Sequence, residues 1–108
     1  MIENDYTIEI SNRFYKDFDY AIDYKVGNWT SDESLKEFKK EVSDKIESLK
    51  TTPFIGMDLN SRIRRKTDYR YLVADDGKYM IFYKVIASDL VKVSRILATK
   101  SNWQRILR

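Results

Sequence analysis

The stretch YRYLVADDGKYMIFYKVI, residues 69 to 86, decides the fold. Aromatic and β-branched residues run on both sides of Asp75-Asp76-Gly77, and most of the polar residues between them fall at every second position. That period belongs to extended chain. Asp-Gly supplies the positive φ that a tight connection requires. The spacing predicts a strand over Tyr69–Ala74, a three-residue turn, and a second strand over Lys78–Ile86. Ala87-Ser88-Asp89 then turns the chain into a third strand, LVKVSRILA, Leu90 to Ala98. Three strands joined in this way form an antiparallel meander.

Upstream of the meander the period changes. YTIEI, Tyr6 to Ile10, reads as a strand, and Ser11 or Asn12 can cap a helix directly after it. Phe14, Phe18, Ala21 and Ile22 recur at helical spacing, and Gly27-Asn28 ends the run. Thr30 with Glu33 fits a capping box for a second helix, although Ser31 can cap instead. Its stripe is Leu35, Phe38, Val42, Ile46 and Leu49, and the charges from Lys36 to Glu47 form a solvated face. So short a link folds the two helices into an antiparallel hairpin, laid on one face of the sheet. In SNWQRILR, Ser101 or Asn102 caps a short terminal helix with Trp103, Ile106 and Leu107 on one side. The expected class is α+β, with residues 1–108 as a single domain: a strand, a helical hairpin, the meander and a short C-terminal helix.

Composition narrows the chemistry. The chain has neither cysteine nor histidine, which removes disulfides, Cys/His zinc sites and any imidazole base. No metal and no cofactor are expected. No apolar run approaches the roughly 20 residues that span a bilayer, and MIENDY is acidic and polar, unlike a secretory leader. The cytoplasm is the expected compartment. Net charge is only +3, yet Arg62, Arg64, Arg65, Lys66 and Arg70 gather five cations into nine residues with one acid, Asp68. This cluster is read as a surface for a polyanion or an acidic protein, with plain solvation as the alternative.

The order of elements and the residues on them resemble the RelE/ParE superfamily of toxins from type II toxin–antitoxin pairs. The resemblance rests on YTIEIS, on Leu49, Pro53, Gly56 and Leu59, and on DYRYL, KYMIFYKV and VSRILATKSNWQRIL. It implies the fold just described and a cognate antitoxin as partner. It also implies one of two mechanisms: ribosome-dependent mRNA cleavage in RelE-like members, or inhibition of DNA gyrase by binding in ParE-like ones. In the cleaving branch a cation follows the tyrosine of the middle strand, where this chain has Met80, and only Lys100 remains of the basic run after the last strand. The expectation is therefore a ParE-like gyrase inhibitor. The alternatives are a RelE-like nuclease, with Arg70, Lys84 and Lys100 at the phosphate, or a non-toxic nucleic-acid-binding domain.

Alternation along the middle strand separates Met80, Phe82 and Lys84 from Tyr79, Ile81, Tyr83 and Val85. The second set is expected in the core. Placing Arg70 and Leu72 on the face of Met80 gives a half-apolar surface, with Leu72, Met80, Phe82 and Lys84 expected to hold the antitoxin. Arg62, Arg64, Arg65, Lys66 and Arg70 are expected to hold the target. Trp103 is expected to anchor the terminal helix. Arg95 either pairs with Asp17, Asp19 or Asp23, or serves function directly.

Overall fold

The computed structural model describes residues 5–63 and 66–107. Its element order is β1 (Thr7–Ile10), α1 (Asn12–Gly27), α2 (Asp32–Ser48), β2 (Met57–Asp58), a 3-10 turn (Leu59–Ser61), β3 (Arg70–Ala74), β4 (Tyr79–Ala87), β5 (Leu90–Ala98) and α3 (Trp103–Ile106). The strands make one sheet in the order β1-β5-β4-β3-β2. The expected meander is its centre. β1 adds to it in parallel beside β5, and the two-residue β2 forms the far edge.

Ser11 caps α1: its hydroxyl accepts the Phe14 N–H at 3.1 Å and donates to the Ser94 carbonyl at 2.6 Å. Ser94 is the bulged residue of β5, because Tyr83 faces Val93 while Phe82 faces Arg95. Helix entry and strand irregularity thus satisfy each other. At α2 the cap is Ser31, which accepts from Ser34 N, and not Thr30. Neither Ser101 nor Asn102 caps α3 through its side chain; the Ser101 hydroxyl donates back to the Ala98 carbonyl instead.

The helical hairpin buries Phe14, Ala21, Phe38, Val42 and Ile46 against Ile81, Tyr83, Val91, Val93 and Ile96. Phe18 stacks on Phe38 at 5.7 Å, which fixes the two helices to each other. The opposite face of the sheet has its own core. Met80, Phe82, Tyr71 and Leu97 pack with Leu59 of the 3-10 turn and with Trp103 and Leu107 at the C-terminus. Trp103 is the expected anchor, 5.5 Å from Phe82. Ile106 does not join it and stays exposed.

The β3–β4 connection uses four residues, Asp75 to Lys78, so Ala74 faces Tyr79. Asp75, Asp76 and Gly77 all take positive φ, at 56°, 55° and 83°. The extra residue shifts the expected register by one and turns one strand over relative to the other. Leu72 faces Ile81 and Arg70 faces Tyr83, on the hairpin side of the sheet, away from Met80 and Phe82.

Leu49 and Leu59 are fully buried, and between them Gly56 lies under Tyr83. A Cβ there would fall 2.7 Å from Tyr83 Cε1 and 2.9 Å from the Tyr71 carbonyl oxygen. Gly56→Ala is expected to cost about 1–3 kcal/mol in urea unfolding. Gly27 sits at the end of α1 with nothing within 4 Å of its would-be Cβ. Gly27→Ala is expected to stabilise by roughly 0.5–1 kcal/mol in the same titration.

Candidate functional site

The basic segment is closed at its base. Asn60 donates from Nδ2 to the Thr67 carbonyl at 3.0 Å and accepts the Thr67 N–H at 2.9 Å. Leu59 N–H reaches the Tyr69 carbonyl beside them. Asn60 and Thr67 are therefore held side by side. Arg62 is exposed and lies 5.8 Å from the ring centres of both Tyr71 and Trp103, roofing the second core. Lys66 is exposed. Arg64 and Arg65, also expected to bind the target, lie outside the described residues.

Arg70 is turned inward. Its Nη1 donates to the Gly56 carbonyl at 2.9 Å and to the Phe54 carbonyl at 3.4 Å, while the guanidinium stacks over the Phe54 ring at 5.1 Å. Lys84 points to the other face, with Nζ 4.4 Å from the Tyr69 ring centre. Lys100 is at the far end of the sheet, two residues past Ala98, which faces Tyr79. Five strand steps from Tyr79 to Lys84 span roughly 16 Å. Arg70, Lys84 and Lys100 therefore do not converge on one phosphate. Among the described residues no group of three or more carboxylates gathers to hold a metal ion either.

The residues expected to take the antitoxin do not share one open surface in the free chain. Met80 and Phe82 are fully buried under Trp103 and Leu107, and Leu72 packs on the hairpin side. Lys84 and Leu72 reach solvent only in part, and from opposite faces of the sheet. Two causes are physical: the one-residue register shift, and a terminal helix that covers the second sheet face. Among the large apolar side chains that meet water are Phe54, Ile55 and Met57, none of them expected at a site from the sequence. Their signal is three large apolar residues around Gly56 with no helical or strand period to bury them.

At the opposite end of the sheet an open cleft of about 920 Å³ separates α1 from the β3–β4 turn. Tyr20, Tyr24, Tyr79, Lys78 and Lys100 are on its walls. Lys25 Nζ binds Asp75 Oδ2 at 2.6 Å across its floor and lies 4.6 Å from the Phe38 ring centre. Asp75 N–H also donates to Glu41 of α2, at 2.9 Å. The positive φ of Asp75 is thus held by both helices. Trp29, in the link between the helices, has φ 63° and is 94% exposed.

Arg95 pairs with Asp17, one of its three expected partners. Nε reaches Oδ2 at 2.7 Å and Nη2 reaches Oδ1 at 2.8 Å, a two-point contact. The Ile96 N–H adds a third donor to the same carboxylate, at 3.2 Å. The pair is 16% and 11% exposed, and the carboxylate holds the Arg95 guanidinium above its already high ordinary pKa. Tyr83, fully buried, accepts the Gly56 N–H at 2.8 Å. Burial pushes its hydroxyl pKa up, an effect that the Gly56 N–H and the charge of Arg70 only partly offset.

Residues 8–103 match the family described as "ParE toxin of type II toxin-antitoxin system, parDE". No curated protein matches the chain. Among solved structures, the chain is similar to one titled "Chromosomal ParDE TA system from P. aeruginosa". The TM-score is 0.69 at 15% identity, over 88% of this chain and 97% of that one. At that identity the likeness is one of fold.

Removing one partner from the Asp17–Arg95 pair leaves the other charge and the Ile96 N–H unsatisfied. Asp17→Ala is expected to lower unfolding free energy by about 3 kcal/mol, measured by denaturant titration. Tyr83 gives a pH dependence of fixed sign. Its folded pKa is above the unfolded value of about 10, so the native state keeps a proton there that the unfolded chain releases. Stability is expected to be unaffected by this group below about pH 10 and to fall as pH rises beyond it. Tyr83→Phe, though less stable by about 1–3 kcal/mol through the unpaired Gly56 N–H, should show a shallower alkaline loss.

Proposed function

Because the chain belongs to the ParE toxin family of type II toxin–antitoxin systems, we propose that it arrests growth by binding DNA gyrase and is neutralised by its cognate antitoxin. On this reading it acts in the cytoplasm and performs no chemistry of its own. The observation that carries the reading is the dispersal of the cations. Stabilising the charge of a phosphoryl transition state needs donors about 3 Å from one oxygen, already in place before reaction. Arg70 is tied to the loop carbonyls, Lys84 stacks on the other face, and Lys100 is roughly 16 Å away along the sheet. Cations spread in this way suit binding along a charged surface better than in-line cleavage. Arg62, Arg64, Arg65 and Lys66 are proposed to meet the phosphates of gyrase-bound DNA.

Purified toxin is expected to inhibit gyrase supercoiling, and induction in cells should raise a DNA damage response while transcripts stay intact. Codon-phased cuts in translated mRNA, with gyrase unaffected, would replace this reading with ribosome-dependent cleavage. Reversing Arg64, Arg65 and Lys66 to Glu should weaken inhibition by about tenfold or more and reduce its dependence on salt. Full inhibition by that variant would remove the basic loop from the contact.

A further inference from the structure

The cleft between α1 and the β3–β4 turn has walls that are fixed before anything enters it. Lys25 and Asp75 tie its two sides together at 2.6 Å, and Glu41 accepts the Asp75 N–H. The turn is also joined to the end of β5. Thr99 donates its N–H to the Lys78 carbonyl at 2.8 Å and its hydroxyl to the Gly77 carbonyl. These bonds hold Asp75 and Asp76 in the left-handed region, which is uncommon outside glycine and is kept where the surroundings fix it. At about 920 Å³ the cleft falls within the roughly 300–1,000 Å³ of sites that take small molecules.

Its chemistry is of two kinds. Tyr20 and Tyr24 stand one helical turn apart on α1 and leave much of their rings in water, at 74% and 59% exposure. Tyr79 joins them from the sheet. Burial first, and then the charge of Asp75, push the Tyr79 hydroxyl above its ordinary pKa, and Tyr24 and Tyr20 are near enough to add to the shift. That hydroxyl therefore keeps its proton and can donate. The second kind is charge. Two carboxylates of the lining are already bound, Asp17 by Arg95 and Asp75 by Lys25. Among the described residues Lys78, Lys100 and Asp76 make no ion pair, and all three are exposed. The Thr99–Lys78 bond puts both lysines on one short stretch of the same wall.

A compact ligand with a planar ring at one end and several negative charges at the other satisfies both halves. A polynucleotide strand would need cations strung along its path, whereas the α1 side offers tyrosines and Lys25, whose charge is already met. An acidic peptide spreads single charges over separate side chains, which two neighbouring lysines match poorly. We propose that this cleft binds a nucleoside phosphate, with the base on Tyr20 and Tyr24, the phosphates on Lys78 and Lys100, and a sugar hydroxyl donating to Asp76. The assignment goes beyond the proposed function and rests on neither its gyrase part nor its antitoxin part.

The test titrates the full chain by calorimetry with ATP, GTP, adenosine and inorganic tripolyphosphate. ATP or GTP should bind saturably, with one site per chain. Adenosine and tripolyphosphate should each bind at least about tenfold more weakly, since each meets only half of the site. Tyr20→Ala/Tyr24→Ala should weaken nucleotide binding at least about tenfold through lost stacking, with the salt dependence kept. Lys78→Ala/Lys100→Ala should weaken it by about as much and flatten the salt dependence. All four positions are exposed, and an unchanged melting temperature checks that the variants fold. No saturable binding of either nucleotide at millimolar concentration overturns the proposal. So does parent-like affinity in either double variant. Tripolyphosphate that binds as tightly as ATP would reduce the cleft to a simple anion site, and overturns it as well. A short single-stranded oligonucleotide that binds at least about tenfold tighter than ATP, and loses affinity in the same variants, would reassign the cleft to nucleic acid and overturn the commitment to a nucleoside phosphate.

Discussion

The carboxylate of Asp17 joins the two halves of this molecule. β1 is four residues long and pairs only with Leu90 to Val93, so the rest of β5 lacks a strand on that side. An open, partly apolar edge of this kind exposes backbone donors to water and to other chains. Here α1 lies along it and supplies an acceptor for the Ile96 N–H, while Arg95 from the same strand clamps the carboxylate in place. At the start of α1, Ser11 fills the carbonyl of the Ser94 bulge. Together these contacts set the line of α1, and Phe18 on Phe38 then sets α2. The Lys25–Asp75 pair and the Glu41 acceptor carry that placement on to the β3–β4 turn.

A sheet fixed in this way has two apolar faces and needs two covers. The hairpin is the larger one. The other is made of separate pieces, the 3-10 turn, the residues around Tyr69 and the one-turn α3, each too short to hold itself in place. Trp103 and Leu107 supply most of its bulk, so the end of the chain is part of the core. With both faces filled, the parts left for recognition are loops and ends. They include the fastened loop at Phe54 to Met57 and the aromatic cleft at the far end of the sheet.

The cations follow the same logic. Arg62, Arg70, Lys84 and Lys25 each lie over an aromatic ring, where the guanidinium or ammonium covers apolar surface and keeps its charge. Of these, Arg62 follows the 3-10 turn, while Lys25, Arg70 and Lys84 are carried by α1, β3 and β4. A catalytic set would need several such groups aimed at a single atom, and their separate rings point them apart.

What the sequence determined by itself was everything set by local periodicity. The helical stripes of α1 and α2, the limits of β5, the core positions Ile81, Tyr83 and Val85, and Trp103 as an anchor were all legible, because side chains three and four apart in a helix, or two apart in a strand, share a face wherever the element sits. The caps were legible only to within a residue, as Ser31 in place of Thr30 illustrates. Tertiary structure decided which faces meet. Whether the β3–β4 turn holds three residues or four changes no periodicity within either strand, yet it carries Arg70 and Leu72 to the other side of the sheet. The parallel pairing of β1, the choice of Asp17 among three acids for Arg95, and the burial of Met80 beneath α3 depend on contacts between segments up to 83 residues apart. Such contacts follow from which surfaces remain uncovered once the local elements have formed.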